Sequence, residues 1–531
     1  MNSSHILVVL AGGGLAYLVV KSILSVFFSP LRHIPGPRGK SFFYGNIQDI
    51  IEDNNAQTYR QWENTYGKTF LFEGLIGQKF VWTSDWKALG HILNSDADWQ
   101  KDDGARFSLS RILGSGVLGT EGEKHKLQNP AFGPAQVREL TDVFFEKSSK
   151  LRDVWVSQLD RDTGLGRIDA LSWISKMTLD VIGEAGFNYK FNALDGEASE
   201  LNNAYSRIFK SDRSKYDIFF IILAMLQESF PIFRVIPEIR ASFRQAMQTS
   251  DRIAKELFYE SKAALTGTGE KGDNWRARDL LSLLVRSNMS ADLPEDQRMS
   301  DQDVMSQVPT FFVAGHETTS TGTTFALLAL TERPDVQIKL RQELLAVPTD
   351  TPTMEQLNAL PYLDIVVREC LRLYCPAPLT GRTAMKDDIV PLAHPYTDRN
   401  GVVHDHLRLK KGAGIFIPIV SINRDKDLWG DDADVFNPDR WQKLPEAVTS
   451  IPGVWGNMLT FLGGSHACIG WRFAIVEMKA LLFTLVRSFE FELAVPREDV
   501  LIKKVALVQR PEVRGQGNQL PFNVKLVVPE E

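Results

Sequence analysis

One cysteine near the C-terminus, Cys468, sits in the glycine-rich run Phe461-Leu462-Gly463-Gly464-Ser465-His466-Ala467-Cys468-Ile469-Gly470, which leads into an apolar helical pattern over residues 471–489. A cysteine at that place faces the free N–H groups and positive dipole end of a helix, which favour thiolate over thiol. Glycines at 464 and 470 let backbone approach a flat ligand closely. Such a sulfur suits a metal, although a lone cysteine is more often an inert core residue. Upstream, Ala314-Gly315-His316-Glu317-Thr318-Thr319 sets consecutive polar residues inside a long helical pattern that Ser300 is placed to cap and Pro334 to end. In the plainer reading, Thr318 bonds back to a carbonyl one turn earlier and Glu317 points to solvent. In the other, the pair handles protons. A third segment, Glu369-Cys370-Leu371-Arg372, puts acid and base on one helix face, and Phe436-Asn437-Pro438-Asp439-Arg440-Trp441 follows it.

Taken in this order, the four segments resemble the cytochrome P-450 superfamily, in the style of its fungal microsomal members. The cysteine loop matches the haem-binding pattern F-x-x-G-x-R-x-C-x-G, except that His466 stands where arginine is usual. The resemblance covers essentially all residues after about Leu31. It implies a mainly α fold with small β-sheets, in which haem b lies between the oxygen-motif helix and the cysteine loop. Cys468 is then the axial ligand to the haem iron. Phe461, Gly464, His466 and Gly470 flank the haem on that side, and Ala314 and Gly315 on the other. Thr318 and Glu317 become the catalytic pair, which manages protons beside bound dioxygen. Glu369, Arg372 and Arg440 form a structural triad that holds the core beneath the haem. Arg382 is the first candidate partner for the haem propionates. His466 is the second, weaker because a neutral imidazole supplies no charge.

One region departs from the family pattern. The run Glu121-Gly122-Glu123-Lys124-His125-Lys126-Leu127-Gln128-Asn129-Pro130-Ala131-Phe132 keeps both ends of a helix that usually supplies another propionate partner. It is about four residues short, roughly one helical turn, and Asn129 stands where arginine is expected. His125 and Lys126 are placed to take over part of that contact. The alternative is a variant with weakened haem affinity and impaired reductase docking.

The elements that must position these residues follow from simpler signals. With 531 residues, 44% of them hydrophobic, the chain can bury a large flat cofactor, and it carries no internal repeat. A net charge of −6 argues against nucleic acid as a partner, and a monomer is expected. Three cysteines cannot staple so long a chain, so a reducing, cytosol-facing site is expected. Residues 6–28, ILVVLAGGGLAYLVVKSILSVFF, are long and apolar enough for a single-pass transmembrane anchor. Arg32, Arg38 and Lys40 after that run place the main body in the cytosol. Residues 29–40, with Ile34-Pro35-Gly36-Pro37, read as a hinge, and residues 41–531 as one haem-thiolate monooxygenase domain. Helical periodicity covers 168–187, 253–265 and 300–333, while 79–83 and 414–420 read as strands.

The function implied by the resemblance is oxidation of a lipophilic small molecule, using dioxygen and electrons from NADPH delivered by NADPH–cytochrome P-450 reductase. The endoplasmic reticulum membrane is the implied location. Segments 107–118, 205–233 and 375–384 are expected to line the pocket. Terpenoid biosynthesis within fungal secondary metabolism is the favoured role, with fatty-acid or xenobiotic hydroxylation as the alternative. A reductase-independent haem-thiolate isomerase or peroxygenase fits less well, since it has no use for the Glu317–Thr318 pair.

Overall fold

Residues 301–332 form a helix because its start and end are both written locally. The Ser300 hydroxyl accepts from the Asp303 amide, and the Asp303 carboxylate accepts from the Ser300 amide. This capping box satisfies two of the free donors at the start. Pro334 opens the next helix, Pro334–Leu345, so the long one stops at Glu332. Nearly every residue from Val304 to Leu330 is buried, as expected of a helix wrapped by others on all sides.

The computed structural model describes residues 30–114, 116–122, 132–196, 200, 215–237, 240–266, 279–289, 294, 298–505 and 507–527. Five helices frame the site: α1 (Pro134–Gln158), α2 (Ala170–Phe187), α3 (Asp301–Glu332), α4 (Pro361–Leu373) and α5 (Trp471–Ser488). α3 is central, with α2, α4 and α5 packed against it, and α1 lies against α2 and α5. Aromatic pairs fill two of these seams: Phe187 with Phe312 (ring centroids 4.3 Å apart) and Phe144 with Phe473 (4.8 Å). The fold is mainly α with small β-sheets.

Seven strands matter here: β1 (Thr69–Glu73), β2 (Lys79–Thr83), β3 (Trp99–Gln100), β4 (Thr380–Ala384), β5 (Gly414–Ile417), β6 (Val500–Val505) and β7 (Val508–Val513). The first five make one sheet in the order β1-β2-β5-β4-β3, and all its pairs are antiparallel except β2 with β5. β6 and β7 form a separate antiparallel hairpin, and β7 packs on α3.

Three sequence boundaries move for physical reasons. The helix expected from 168 begins at Ala170, because Leu165–Asp169 is held in a strand against Pro521–Leu526. The helix read over 253–265 extends to Ala241–Thr266. The strand read over 414–420 ends at Ile417, since Pro418 has no amide to continue the ladder and Ile419–Ile422 turns into a helix. Cys370 and Cys375 are buried free thiols.

Residues 6–28 and His125 lie outside the described residues. Among the described residues, no helix is long and apolar enough to cross a membrane. Residues 34–37 lie against the sheet: Ile34 is buried, and the Leu71 amide donates to the Pro35 carbonyl at 2.8 Å.

Candidate active site

The Cys468 loop is held by its own backbone. The Cys468 amide donates to the Phe461 carbonyl (2.8 Å), and the Leu462 amide to that of Leu459 (2.8 Å). Leu462 adopts φ +55°, unusual for a residue with a side chain, so the loop is forced into shape by its surroundings. Gly464 is required: its φ is +69°, and a Cβ there would lie 1.9 Å from the Leu93 carbonyl oxygen. Gly470 is different, since its φ is −89° and a Cβ would make only an ordinary contact with Phe132, at 3.8 Å. Phe461 is buried, edge-on to Trp455.

Cys468 is solvent-accessible, yet protein packs around it closely enough to push its thiol up to about 11, against a hydrogen bond from the Gly470 amide that lowers it. A group both enclosed and accessible lines an internal cleft. The amide at the helix start favours thiolate, as expected, but burial outweighs it. A bound cation would deprotonate this sulfur.

Across from this loop, α3 between Ser306 and Leu330 is buried except at Ala314, Gly315 and Thr318, which are half-buried; Ala314 and Thr318 share one face, while the Cβ position of Gly315 faces Ile182 of α2. Phe311 lies on the same stripe, one turn earlier. Its ring sits 5.2 Å from that of Phe132, and Phe132 is also the neighbour of Gly470. Phe132 thereby bridges this stretch of α3 and the end of the cysteine loop at Gly470.

At this point α3 runs unbroken. The Thr318 hydroxyl donates to the Ala314 carbonyl at 2.6 Å. Glu317 does not point to solvent. It is 3% exposed, hydrogen-bonded by the Arg510 guanidinium from β7, and 3.2 Å from His316. His316 is held neutral, its pKa down to about 3, first by burial and then by the Arg510 charge. The Ser175 hydroxyl lies 3.1 Å from the same imidazole nitrogen. Neither Arg510 nor Ser175 carried a signal in the sequence, because each reaches the motif from a distant element.

Beneath the loop, Glu369 ties two helical segments together. Arg372 donates to both its oxygens (2.9 and 2.8 Å), Arg440 to one (2.9 Å), and the Asn437 amide and Trp441 indole complete it (both 3.0 Å). Arg372 also donates to the carbonyls of Asn423 (2.8 Å) and Ala433 (2.6 Å). Asn423 then carries the network onward. Its side chain accepts from the Leu459 amide and donates to Thr460, both at 2.8 Å, just before the cysteine loop. The sequence marked Glu369, Arg372 and Arg440 but not Asn423.

Four polar groups meet at the sheet end of the cleft. Arg382 is 3% exposed, and its Nη1 is spent on Thr380 and Gly381 while Nη2 is buried without a hydrogen-bond partner among the described residues. The Glu121 carboxylate lies 2.9 Å from His466 Nε2 and 3.4 Å from Lys101 Nζ. Burial raises the Glu121 pKa, but His466 and Lys101 overcome that and hold it at about 2. Burial brings Lys101 down to about 8. Among the described residues there is no cluster of three or more histidine, cysteine, aspartate or glutamate side chains fit for a bare metal ion.

Glu477 on α5 is fully buried with neither oxygen hydrogen-bonded. Burial raises its pKa well above the ordinary carboxylate value, far outweighing the nearby Thr319 hydroxyl. It therefore stays protonated when folded but ionises when unfolded. The stability this neutral acid provides is present below the unfolded pKa and declines as pH rises toward the folded one. Glu477→Gln should match the parent at about pH 4 and exceed it increasingly toward about pH 8. Thermal unfolding across that range checks this; a variant destabilised equally at every pH would refute it.

Comparison with known proteins agrees with this arrangement. The sequence model of the cytochrome P-450 family matches residues 34–514. Cytochrome P-450 monooxygenase 205 of Postia placenta is 48% identical, covering 99% of this chain and 99% of its own length. Monooxygenase 128 of the same fungus is also 48% identical, over 96% of this chain and 95% of its own. Cytochrome P-450 monooxygenase claP of Ampulloclitocybe clavipes is 35% identical over 94% and 93%. The chain belongs to the cytochrome P-450 family, as a monooxygenase related to fungal members.

Proposed function

We propose that the chain holds haem b between the Ala314, Gly315 and Thr318 stretch of α3 and the loop from Phe461 to Gly470, with Cys468 as the ligand to iron, and that it oxidises a lipophilic small molecule. The residues fit that group. Cys468 is an enclosed but accessible sulfur, and Arg382 offers a buried guanidinium nitrogen with no hydrogen-bond partner among the described residues, suited to a carboxylate. His466 is the second propionate contact. The observation that carries the reading is the half-buried stretch of α3 that Phe132 bridges to the end of the cysteine loop.

When bound, thiolate-ligated haem would supply the activation of dioxygen and the transfer of one of its oxygen atoms into a C–H bond, the other leaving as water with the two electrons and two protons delivered. The protein's own part is to manage protons and exclude water. Because the Thr318 hydroxyl spends its one hydrogen on Ala314, its oxygen faces the cleft as an acceptor and can orient a water there. Glu317 is held off that site by Arg510, so carrying a proton inward requires it to leave the guanidinium. His316, neutral in place, contributes no charge to this step. Glu369, Arg372 and Arg440 hold the loop from below through Asn423.

The substrate is apolar, and terpenoid biosynthesis in fungal secondary metabolism remains the preferred role. Two of the segments expected to line the pocket meet where Arg111 hydrogen-bonds Gln227, beside Phe220 and Leu223. Electrons come from NADPH through NADPH–cytochrome P-450 reductase. Residues 6–28 anchor the chain in the endoplasmic reticulum membrane, with the catalytic body in the cytosol. Exposed Phe42, Phe43 and Tyr44, close after that run, support contact with a lipid interface. The test is the reduced, carbon-monoxide-bound difference spectrum of membranes containing the full chain. A strongly red-shifted Soret band is expected; a band typical of a neutral ligand, or none, would overturn the reading.

A further inference from the structure

The sheet brings two cations together at one edge of the cleft. β3 pairs Gln100 with Thr383 on β4, so one further step in register sets Lys101 opposite Arg382. The turn Gly464–His466 delivers His466 to the same place. All three side chains are shielded, with relative exposures of 14% for Lys101, 5% for His466 and 3% for Arg382.

A carboxylate of the chain itself already sits among them. Glu121, 6% exposed, has one oxygen 2.9 Å from His466 Nε2. The other accepts from the Lys101 amide at 3.1 Å and lies 3.4 Å from Lys101 Nζ. Arg382 keeps Nη2 free of any hydrogen bond to the described residues beside this group, and its charge and that of Glu121 act on each other. Two fixed cations, Lys101 and Arg382, thus face one internal anion.

Haem seated as proposed above, with its propionates at Arg382 and His466, would bring two more carboxylates beside the same pair of cations. With Glu121 in place, three buried anions would share two fixed cations, and like charges crowded in a shielded site oppose one another strongly. With Glu121 gone, two anions meet two cations. The chain has the means to move it: Gly122 follows at φ +63°, and among the described residues nothing lies within 4 Å of where its Cβ would be. A residue without Cβ at a left-handed position turns with little hindrance.

We infer that Glu121 competes with the haem carboxylates for Lys101 and Arg382, so that haem is retained only as Glu121 swings out, and that this residue sets how fast the chain releases haem. The inference rests on the haem site proposed above and adds to it an internal anion that opposes loading. It predicts that removing one negative charge slows haem loss, although the substitution also removes an ion pair seen in the structure.

The experiment uses the full chain loaded with haem and two variants, Glu121→Gln and Glu121→Asp. Haem transfer to excess apomyoglobin is followed by absorbance, at low and high salt. Glutamine keeps the shape and an acceptor for the Lys101 amide but not the charge. Its haem loss should be roughly 10-fold slower at low salt, with the gap narrowing at high salt. Aspartate keeps the charge and should stay near the parent rate. Thermal unfolding of the haem-free glutamine form establishes that it folds. If Glu121→Gln loses haem as fast as the parent or faster while folded, Glu121 instead positions its partners and the inference fails. If the parent and both variants bind haem without a red-shifted carbon-monoxide band, or bind none, the haem site itself is wrong, and the inference falls with it.

Discussion

Cys468→Ser should fold normally yet lose the red-shifted carbon-monoxide band entirely, with turnover reduced by roughly 10²–10³-fold or more. The loop that carries residue 468 is fastened by backbone, through the amide bond to Phe461 and the strained turn at Leu462. A side-chain change there leaves those fastenings in place, so the loss would report ligation and not collapse. The size of the effect follows from acidity. Burial holds the Cys468 thiol up to about 11, and a bound metal cation would bring it down. A serine hydroxyl starts far less acidic than a thiol, so the same cation yields a weak neutral ligand in place of an electron-donating thiolate. The variant's spectrum and its thermal unfolding should be measured on one sample. An unchanged red-shifted band in a folded variant would remove Cys468 from the iron.

The second large effect is on stability. Arg372→Met should destabilise the fold by about 3–5 kcal/mol, because it strands a fully buried Glu369 carboxylate. Arg372 is itself 0% exposed and donates both to that carboxylate and to the carbonyls of Asn423 and Ala433. Arg440 remains as a partner, but it shares its guanidinium with Asp432, whose side chain is 46% exposed. A loss of that size is a large part of the ~5–15 kcal/mol that holds a domain folded. Equilibrium unfolding in denaturant checks it, on the haem-free chain so that cofactor binding does not mask the change. The Asn423 link also predicts that any folded Arg372→Met protein holds residues 459–461 less firmly. A midpoint matching the parent's, with the difference under about 1 kcal/mol, would show that the carboxylate finds other partners.

Much of the site could be read directly because its signals are local. Ser300 and Pro334 bound the central helix through capping and a missing amide, and the structure ends that helix where they indicate. The glycine-rich loop before a helix, and the acid and base one turn apart in Glu369 and Arg372, depend on neighbours within a few residues. Strand β2 needs only the aromatic and β-branched run from Phe80 to Thr83. The family resemblance then joined these pieces in order, which is information that no single segment holds.

Other features depend on residues that meet only when the chain is folded. Glu317 reads as a solvent-facing acid on its own helix, but a guanidinium almost two hundred positions later in the chain, Arg510, buries and pairs it. Asn423 is an ordinary asparagine until the tertiary packing sets it between Arg372 and Leu459. Glu121 reads as the start of a shortened helix, and only the register of β3 with β4 reveals it among Lys101, Arg382 and His466. The Cys468 thiol was expected to be acidified by its helix, yet burial, a property of the whole fold, raises it. The sequence by itself therefore determined the helices, the loop and the family chemistry, since capping, turn geometry and periodicity act over a few residues. The tertiary structure alone decided which charges neutralise which, because electrostatic partners and burial are set by distance in space and not by distance along the chain.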